Sequence, residues 1–337
     1  MYNSIIVTMN SNEIDINEWI VHNILLGFEH IYIYDDNSNP KMSDIISELP
    51  NDFYQKVTIY RLDSHYEIRK GTYKSIEEKK QLQYFDQTIY DKYKSNKQQY
   101  LMNYFLKYHK GISKYCFFCD IDEFIYLRDD NSIDEYLNKM SDYDIIYIPW
   151  IYYGTSFYIE KPKGLAIDNF RCHANRYESG KSIIKMEHIN EINCIHRIRK
   201  DPSNYKIYHY DRSATLYSHP IHINHYITKS YKSVLRKKKE HCLGQTSCFN
   251  RTISQILNMG SGSLNKIINK HMMEKYISNI NNVLKYELND NHIDYSLFLK
   301  HGGTILIDNI PLDKIDKLDI DLIEYIINSE NIEYKSK

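Results

Sequence analysis

The stretch Phe117-Phe118-Cys119-Asp120-Ile121-Asp122-Glu123-Phe124 runs from an apolar strand directly into three carboxylates. In an extended chain Asp120 and Asp122 point to the same side, about 6.6 Å apart. Carboxylates at the carboxyl end of a central strand lie where α/β sheets bind ligands. Two such groups suit a hard cation such as Mn²⁺ or Mg²⁺ that also holds phosphates. The alternative is a solvated strand end followed by a helix cap.

Strand and helix signals alternate around this stretch through the first 150 residues. Short apolar runs predict the strands, and apolar residues at helical spacing predict the helices between them. The predicted strands cover residues 5–9, 30–34, 57–62, 115–121 and 144–150, and the predicted helices cover residues 16–24, 41–49, 76–109 and 133–140. The long helical region is expected to break near Ser95-Asn96. This alternation is typical of a wound α/β sheet.

The pattern changes after Trp150. Residues 151–225 combine short strand signals with polar turns, and the chain becomes helix-rich from Ser230 onward. Gly260-Ser261-Gly262-Ser263 is the best candidate for a linker, and Gly302-Gly303 indicates a second break. We therefore predict an α/β domain over residues 1–259 and a helical C-terminal extension over residues 260–337.

Composition excludes several classes of protein. The 337 residues carry 43 basic and 44 acidic side chains, which argues against a nucleic-acid partner. No stretch approaches 18 apolar residues, so no transmembrane segment is expected, and no secretory signal opens the sequence. Six scattered cysteines fit a reducing compartment. The expected location is the cytoplasm.

Cys116 and Cys119 form the one closely spaced cysteine pair that suggests zinc. A zinc site needs both thiolates to face one point. Residues three apart on a strand point to opposite faces, so the pattern argues against zinc.

Two further clusters carry polar side chains that bind ligands in other proteins. Asp35-Asp36-Asn37-Ser38 follows a predicted strand, and it is either an ordinary turn or part of the edge that also holds Asp120. His219, His222 and His225 suggest a metal site. On a strand, however, His222 faces away from the other two, so at most one of them is expected to join any single site.

Two features after residue 148 have both a functional and a bland interpretation. Six basic residues fall in the eleven positions from Lys229 to Lys239 with no acidic residue among them. They form either a solvated helical face or a clamp for phosphate, to which Lys229 and Lys232 would contribute. The run from Pro149-Trp150 to Gly154-Thr155-Ser156 is either a platform that stacks against a sugar or the end of a core strand.

Several of these segments, in this order, resemble glycosyltransferase family 92 and its relatives. The matching residues span roughly 4–240, and no single motif among them is decisive. They are Asn12-Glu13, Glu18-Trp19, His22, Gly27-Phe28, Ile33-Tyr34-Asp35, Asn37-Ser38, Gln99, Asn103, Phe118–Phe124, Pro149-Trp150, Gly154-Thr155-Ser156, Lys181-Ser182-Ile183, His196, His225-Tyr226 and Lys229-Ser230-Tyr231. Asp36 departs from family 92, which usually has Asn there, and is similar to family 2. The tail after Gly260 has no counterpart in this resemblance.

The resemblance implies a GT-A fold, in which helices flank a mixed sheet. It also implies a metal-dependent transferase that uses a nucleotide sugar, commonly a UDP-sugar. Asp120 and Asp122 would hold the metal, Mn²⁺ or Mg²⁺, and the diphosphate. His225 would be a third ligand of the metal or the diphosphate.

The same resemblance implies a nucleotide site formed by Thr8 and the Asp35-Asp36 pair, with Asp36 against the uracil. An inverting transfer needs a carboxylate base on the acceptor hydroxyl. Asp168 is the candidate, and Glu187 is the second choice. The acceptor, whether glycan, protein or lipid, is left open.

Two other functions compete with sugar transfer. A metal-dependent phosphoesterase or nucleotidyltransferase would use the same carboxylates and turn over a nucleotide without a sugar acceptor. An inactive scaffold would keep the fold and show no metal-dependent nucleotide binding.

Overall fold

The computed structural model describes most of the chain up to Ser230 and a few segments beyond it. The described residues are 1–10, 13, 15–62, 84–156, 158, 160–196, 198, 204–211, 213–230, 232–234, 267–268 and 273–286. The chain forms two compact units. The first unit comprises Met1–Trp150, Ser179–Ile223 and Asn282–Leu284, and the second unit comprises Ile151–Glu178, Asn224–Asn281 and Lys285–Lys337.

The described residues form eleven strands and eight helices. The strands are β1 (Tyr2–Asn10), β2 (His30–Asp35), β3 (Val57–Arg61), β4 (Ser113–Phe118), β5 (Glu123–Leu127), β6 (Ile145–Tyr152), β7 (Cys172–His173), β8 (Glu178–Lys185), β9 (Ile207–Tyr208), β10 (Ile221–His225) and β11 (Ile267–Ile268). The helices are α1 (Ile16–Leu25), α2 (Met42–Ile46), α3 (Asn51–Tyr54), α4 (Gln87–Tyr93), α5 (Lys97–Tyr108), α6 (Ile133–Lys139), α7 (Ala166–Asn169) and α8 (Glu274–Leu284).

A mixed sheet is the centre of the first unit. Its strand order is β3-β2-β1-β4-β8-β6-β10-β5, and β9 pairs with β6. Strands β3, β2, β1 and β4 run parallel, whereas β8 runs antiparallel to β4. Asn10 is paired with Asp35, and Val7 with Phe118, so β1, β2 and β4 end at the same edge of the sheet. We call this edge the carboxyl edge.

Helices cover the sheet because its central strands are apolar on both faces. Ile5, Ile6 and Val7 are all buried although neighbours on a strand point to opposite faces. Ile5 and Val7 belong to a core that includes Phe105 of α5. The predicted mixed α/β sheet flanked by helices is therefore confirmed.

The predicted break in the long helical region is also confirmed. Helix α4 ends at Tyr93, and α5 begins at Lys97. Asn96 fixes that beginning because its side-chain oxygen accepts a hydrogen bond from the Gln99 N–H at 3.0 Å, as a helix N-cap does. The part of the predicted helix before Tyr84 lies outside the described residues.

The conformation predicted for Asp120 and Asp122 is wrong. Strand β4 ends at Phe118, and the chain then turns instead of continuing as an extended strand. The Glu123 N–H donates to the Asp120 carbonyl at 3.1 Å, which closes a four-residue turn. The spacing expected for an extended chain therefore does not apply to the two aspartates.

The second unit contains a small antiparallel pair of strands, β7 and β11. Tyr153 bridges to His173 of β7. Strand β11 and helix α8 are the described elements after residue 260, so the predicted helical tail also contains a short strand. The predicted domain boundary and both glycine breaks lie outside the described residues. Among the described residues, no helix has the length and apolar character needed to span a membrane.

Candidate active site

The turn from Asp120 to Glu123, which we call the acidic turn, lies at the carboxyl edge between β4 and β5. Glu123 stabilises it twice, because its backbone N–H donates to Asp120 and its Oε2 accepts from the Asp120 N–H at 2.9 Å. Glu123 is fully buried, and Asp122 is 8% exposed. The sequence offers three carboxylates in four residues, and the turn uses one of them as its own support.

Lys181 is the cation of the acidic turn. Strand β8 runs antiparallel to β4, and Ile183 pairs with Phe117. Lys181, two residues before Ile183 and on the same face of β8, therefore lies beside the end of β4. The Lys181 Nζ lies 2.9 Å from Asp120 Oδ2 and 3.8 Å from Glu123 Oε1. It also lies 5.8 Å from the centre of a ring of Trp150. The Lys181 side chain has no exposed surface.

Burial and charge act in opposite directions on this group. Burial by itself lowers the pKa of Lys181, but the carboxylates of Asp120 and Glu123 outweigh it and raise that pKa above its ordinary value. Lys181 is therefore a permanent cation at neutral pH. Burial raises the pKa of Glu123 well above its usual range, and the charge of Lys181 offsets part of that rise.

Gly180 allows β8 to pack closely against the neighbouring strand β6. A Cβ at position 180 would lie 1.5 Å from the carbonyl oxygen of Ile148 in the neighbouring strand β6. No residue with a side chain fits in that space without moving the backbone. The absence of a side chain at Gly180 thus sets the position of Lys181.

The first turn of α5 brings two more sequence-predicted residues together. Lys97 forms an ion pair with Asp36, and its neighbour Gln98 donates to Asp120 Oδ1 at 2.6 Å. Both partners of the ion pair are almost buried, with side chains 9% and 13% exposed. Asp36 and Asp120, which follow different strands, are therefore linked by consecutive residues of one helix.

Gln99 and Asn103 continue this arrangement further along α5. Their side-chain amides both donate to the Ile192 carbonyl, at 3.0 and 2.8 Å. Asn103 Oδ1 also accepts from the Ile192 N–H at 2.8 Å. These two motif residues therefore fix the chain after β8 and do not themselves reach the acidic turn.

Asp35 has a structural role in the turn after β2. Its carboxylate accepts from the Ser38 N–H at 2.9 Å and from the Met42 N–H at 3.3 Å, and it pairs with Arg61. Its predicted role in nucleotide binding stays a prediction. Thr8 is buried, and its hydroxyl has no hydrogen-bond partner among the described residues.

The motif residues Trp19 and His22 act through strand β5. Trp19 Nε1 donates to the Glu123 carbonyl at 2.9 Å, and His22 Nε2 donates to the Ile125 carbonyl at 2.8 Å. Both side chains are buried in α1. They therefore hold the strand that follows the acidic turn from a helix more than 100 residues earlier in the sequence.

Four predicted site residues belong to the second unit. His225 ends β10, its carbonyl accepts from the Tyr153 N–H at 2.9 Å, and its ring packs on Tyr152. Lys229 is 4% exposed. Lys232 pairs with Glu160 at 2.7 Å, and Asp168 pairs with Arg171. The residues that contact these predicted site residues also belong to the second unit. The roles predicted for His225, Lys229, Lys232 and Asp168 stay predictions.

Glu187 lies near the opposite end of β4 from Asp120. It follows Met186, whose N–H donates to the carbonyl of Lys114 at the beginning of β4. Asp120 follows the opposite end of that strand, about 20 Å away at 3.3 Å per residue. The Glu187 side chain is 71% exposed and pairs with His188. The role predicted for Glu187 stays a prediction.

Trp150 and the cysteine pair Cys116 and Cys119 all have buried side chains. Trp150 is 4% exposed and packs against His196, which favours the core interpretation over a sugar platform for this residue. Cys116 and Cys119 are buried thiols, and burial raises the pKa of both.

Asp120 and Asp122 fit a divalent cation in donor chemistry. Among the residues that the structure describes, no group of three or more His, Cys, Asp or Glu side chains is placed to hold a metal ion. Mg²⁺ is commonly bound through one or two carboxylates together with substrate phosphates, without a complete protein cage. Two carboxylates at the carboxyl edge match that type of site, although Asp120 already accepts from Gln98 and Lys181.

In open α/β sheets, ligands bind in the crevice outside the carboxyl ends of the strands, and the acidic turn follows such an end of β4. Residues 8–256 match the family described as glycosyltransferase family 92. The chain therefore belongs to glycosyltransferase family 92. This confirms the resemblance found in the sequence, the GT-A type of fold that it implied, and the assignment of the chain to the glycosyltransferases.

Solved structures show weaker likeness. The S. cerevisiae mannosyltransferase Ktr4p is 15% identical, with 48% of this chain and 42% of that chain covered and a TM-score of 0.25. Core-mannan synthase A (CmsA/Ktr4) from Aspergillus fumigatus, in a Mn/GDP form, is 11% identical, with 47% and 45% covered and a TM-score of 0.26. Mouse xyloside xylosyltransferase 1 is 12% identical, with 55% and 67% covered and a TM-score of 0.28.

The match spans less than half the length of Ktr4p and of core-mannan synthase A. At these TM-scores the likeness carries no argument about substrate or mechanism. No curated protein sequence shows significant similarity to the chain.

Proposed function

We propose that this protein transfers a sugar from a nucleotide-sugar donor, a UDP-sugar, to a hydroxyl acceptor with inversion, and that Asp120 and Asp122 hold a divalent cation during the transfer. The observation that carries the proposal is the link between Asp36 and Asp120. Consecutive residues of α5, Lys97 and Gln98, contact them at the ends of two parallel strands. A nucleotide site needs one group for the base and another for the diphosphate, and one turn of helix contacts the two acids proposed for these roles.

The chemistry of sugar transfer explains why acids and cations occur together here. Breaking a sugar–phosphate bond leaves a nucleoside diphosphate on which negative charge grows. A bound Mn²⁺ or Mg²⁺ would supply positive charge to that leaving group. Asp120 and Asp122 would hold the cation, and Asp36 would accept from the N–H of the uracil ring.

The first experiment measures binding and transfer separately. Thermal unfolding is followed with UDP, GDP and several UDP-sugars, each with and without Mn²⁺, because a ligand of the native state raises the unfolding temperature. UDP-sugars should stabilise the chain only with Mn²⁺. Release of UDP in the presence of a panel of glycan, peptide and lipid acceptors then measures transfer.

Asp122→Asn tests the acidic turn directly. We expect a folded chain that has lost transfer, because the variant removes a charged metal ligand. Asp129→Asn is the matched control, since the Asp129 side chain is 53% exposed and pairs with Arg128 on the surface. Transfer at the full rate by Asp122→Asn, or by the wild-type chain in excess chelator, would overturn the role of the metal.

Two outcomes would favour the competing functions. Turnover of the nucleotide into nucleoside monophosphate and sugar phosphate without any acceptor would favour a phosphoesterase. Absence of nucleotide-dependent stabilisation with every metal would favour a scaffold. Stabilisation by GDP in place of UDP would move the donor to a GDP-sugar.

A further inference from the structure

Lys181 puts a fixed positive charge on the carboxylate that the proposed function assigns to the metal. Its Nζ donates to Asp120 Oδ2 at 2.9 Å and has no contact with solvent. A buried ammonium is retained only where carboxylates compensate it, and here Asp120 and Glu123 do so. A divalent cation that approaches Asp120 must therefore share its carboxylate with a cation already present.

We propose that Lys181 is a built-in counter-cation that competes with the divalent cation for Asp120, so that the metal binds firmly only together with the nucleotide diphosphate. The proposal rests on the proposed function. Two cations at one carboxylate repel each other, and the repulsion is stronger where water is excluded. The phosphates of the nucleotide bring the negative charge that offsets this repulsion. Free metal without nucleotide is then bound only weakly.

Charge and geometry at Asp120 can be separated experimentally. Lys181 holds Oδ2 with a charged group, whereas Gln98 holds Oδ1 with a neutral amide at 2.6 Å. Loss of either partner loosens the carboxylate, but only loss of Lys181 changes the charge beside it. Gln98→Ala is thus the matched control for a purely structural effect.

The experiment titrates Mn²⁺ alone, without nucleotide or acceptor, and follows the paramagnetic resonance signal of free Mn²⁺. Lys181→Gln should bind Mn²⁺ about tenfold more tightly than the wild-type chain, because a unit charge next to the ligand has been removed. Lys181→Arg, which keeps the charge, should stay close to wild type. Gln98→Ala, which removes only a neutral hydrogen bond, should not tighten Mn²⁺ binding. Equal or weaker Mn²⁺ binding by folded Lys181→Gln would overturn the proposal.

A second variant covers the case in which Lys181→Gln does not fold. Lys181→Met keeps an aliphatic stem at this buried position and removes the same charge. It should also bind Mn²⁺ more tightly than the wild-type chain. Equal or weaker Mn²⁺ binding by folded Lys181→Met would contradict the competition.

Nucleotide provides the final comparison. UDP should tighten Mn²⁺ binding more in the wild-type chain than in Lys181→Gln. Only in the wild-type chain does the diphosphate offset a repulsion between Lys181 and Mn²⁺. The same increase in both chains would argue against the counter-cation. These results are distinct from those that test the proposed function, since metal-independent sugar transfer refutes the catalytic metal, whereas unchanged Mn²⁺ affinity in Lys181→Gln refutes only the competition.

Discussion

Replacing Lys97 by methionine should lower the free energy of unfolding by about 3–5 kcal/mol, because it leaves the carboxylate of Asp36 almost buried without its cation. The side chains of Lys97 and Asp36 are only 9% and 13% exposed, so little water can take over the lost contact. The aliphatic part of methionine fills the same space as that of lysine. The loss of unfolding free energy therefore contains little contribution from a cavity.

A double-mutant cycle isolates the ion pair. Asp36→Asn combined with Lys97→Met removes both charges, and replacing both partners of a buried pair often costs little. We expect the double variant to be more stable than Lys97→Met alone. Urea unfolding followed by circular dichroism gives each free energy, and an unchanged dependence on urea shows that the unfolded states are comparable.

Lys92→Met is the control, because Lys92 forms a pair with Glu191 in which its own side chain is 64% exposed. Such a surface pair contributes about 0–1 kcal/mol. A similar small loss in Lys97→Met, or strictly additive effects in the cycle, would refute the view that the Asp36–Lys97 pair acts as a buried unit.

Three further changes test other parts of the structure. Gly180→Ala should reduce the free energy of unfolding by more than about 4 kcal/mol, seen in thermal unfolding, because the new Cβ meets the Ile148 carbonyl; a soluble variant of normal stability would contradict this. Glu187→Gln should leave the rate of sugar transfer unchanged, since Glu187 lies near the opposite end of β4 from Asp120, and a large loss would support its predicted role as a base. Burial lowers the pKa of His173 to about 4, so the folded state disfavours the charged ring. Stability from neutral His173 is complete above pH 6.5 and should fall by about 3 kcal/mol toward pH 4, and His173→Gln should flatten that slope.

Local patterns predicted the elements well. The apolar runs of β1, β2 and β4 and the Ser95-Asn96 break are visible in neighbouring residues, and Asn96 is a helix cap by residue type alone. The common edge for Asp36 and Asp120 followed from parallel pairing of strands. These predictions needed no knowledge of distant contacts.

The charge balance of the site depended on distant contacts. Lys181 lies 61 residues after Asp120, and its position follows from antiparallel pairing that the alternation of strands and helices does not predict. In the sequence Glu123 is only one member of an acidic run, although in the structure its side chain accepts from the Asp120 N–H and closes the turn. The resemblance to family 92 includes Lys181-Ser182-Ile183, but it gives no indication that Lys181 contacts Asp120.

The first turn of α5 has a consequence for how the protein tolerates changes in length. Each residue of an α-helix is rotated by about 100° from the one before it. One residue inserted after Asn96 would therefore direct Lys97, Gln98 and Gln99 away from Asp36, Asp120 and the Ile192 carbonyl in a single step. Three segments that are far apart in the sequence would lose their alignment together, so the start of α5 sets the relative positions of Asp36, Asp120 and Ile192.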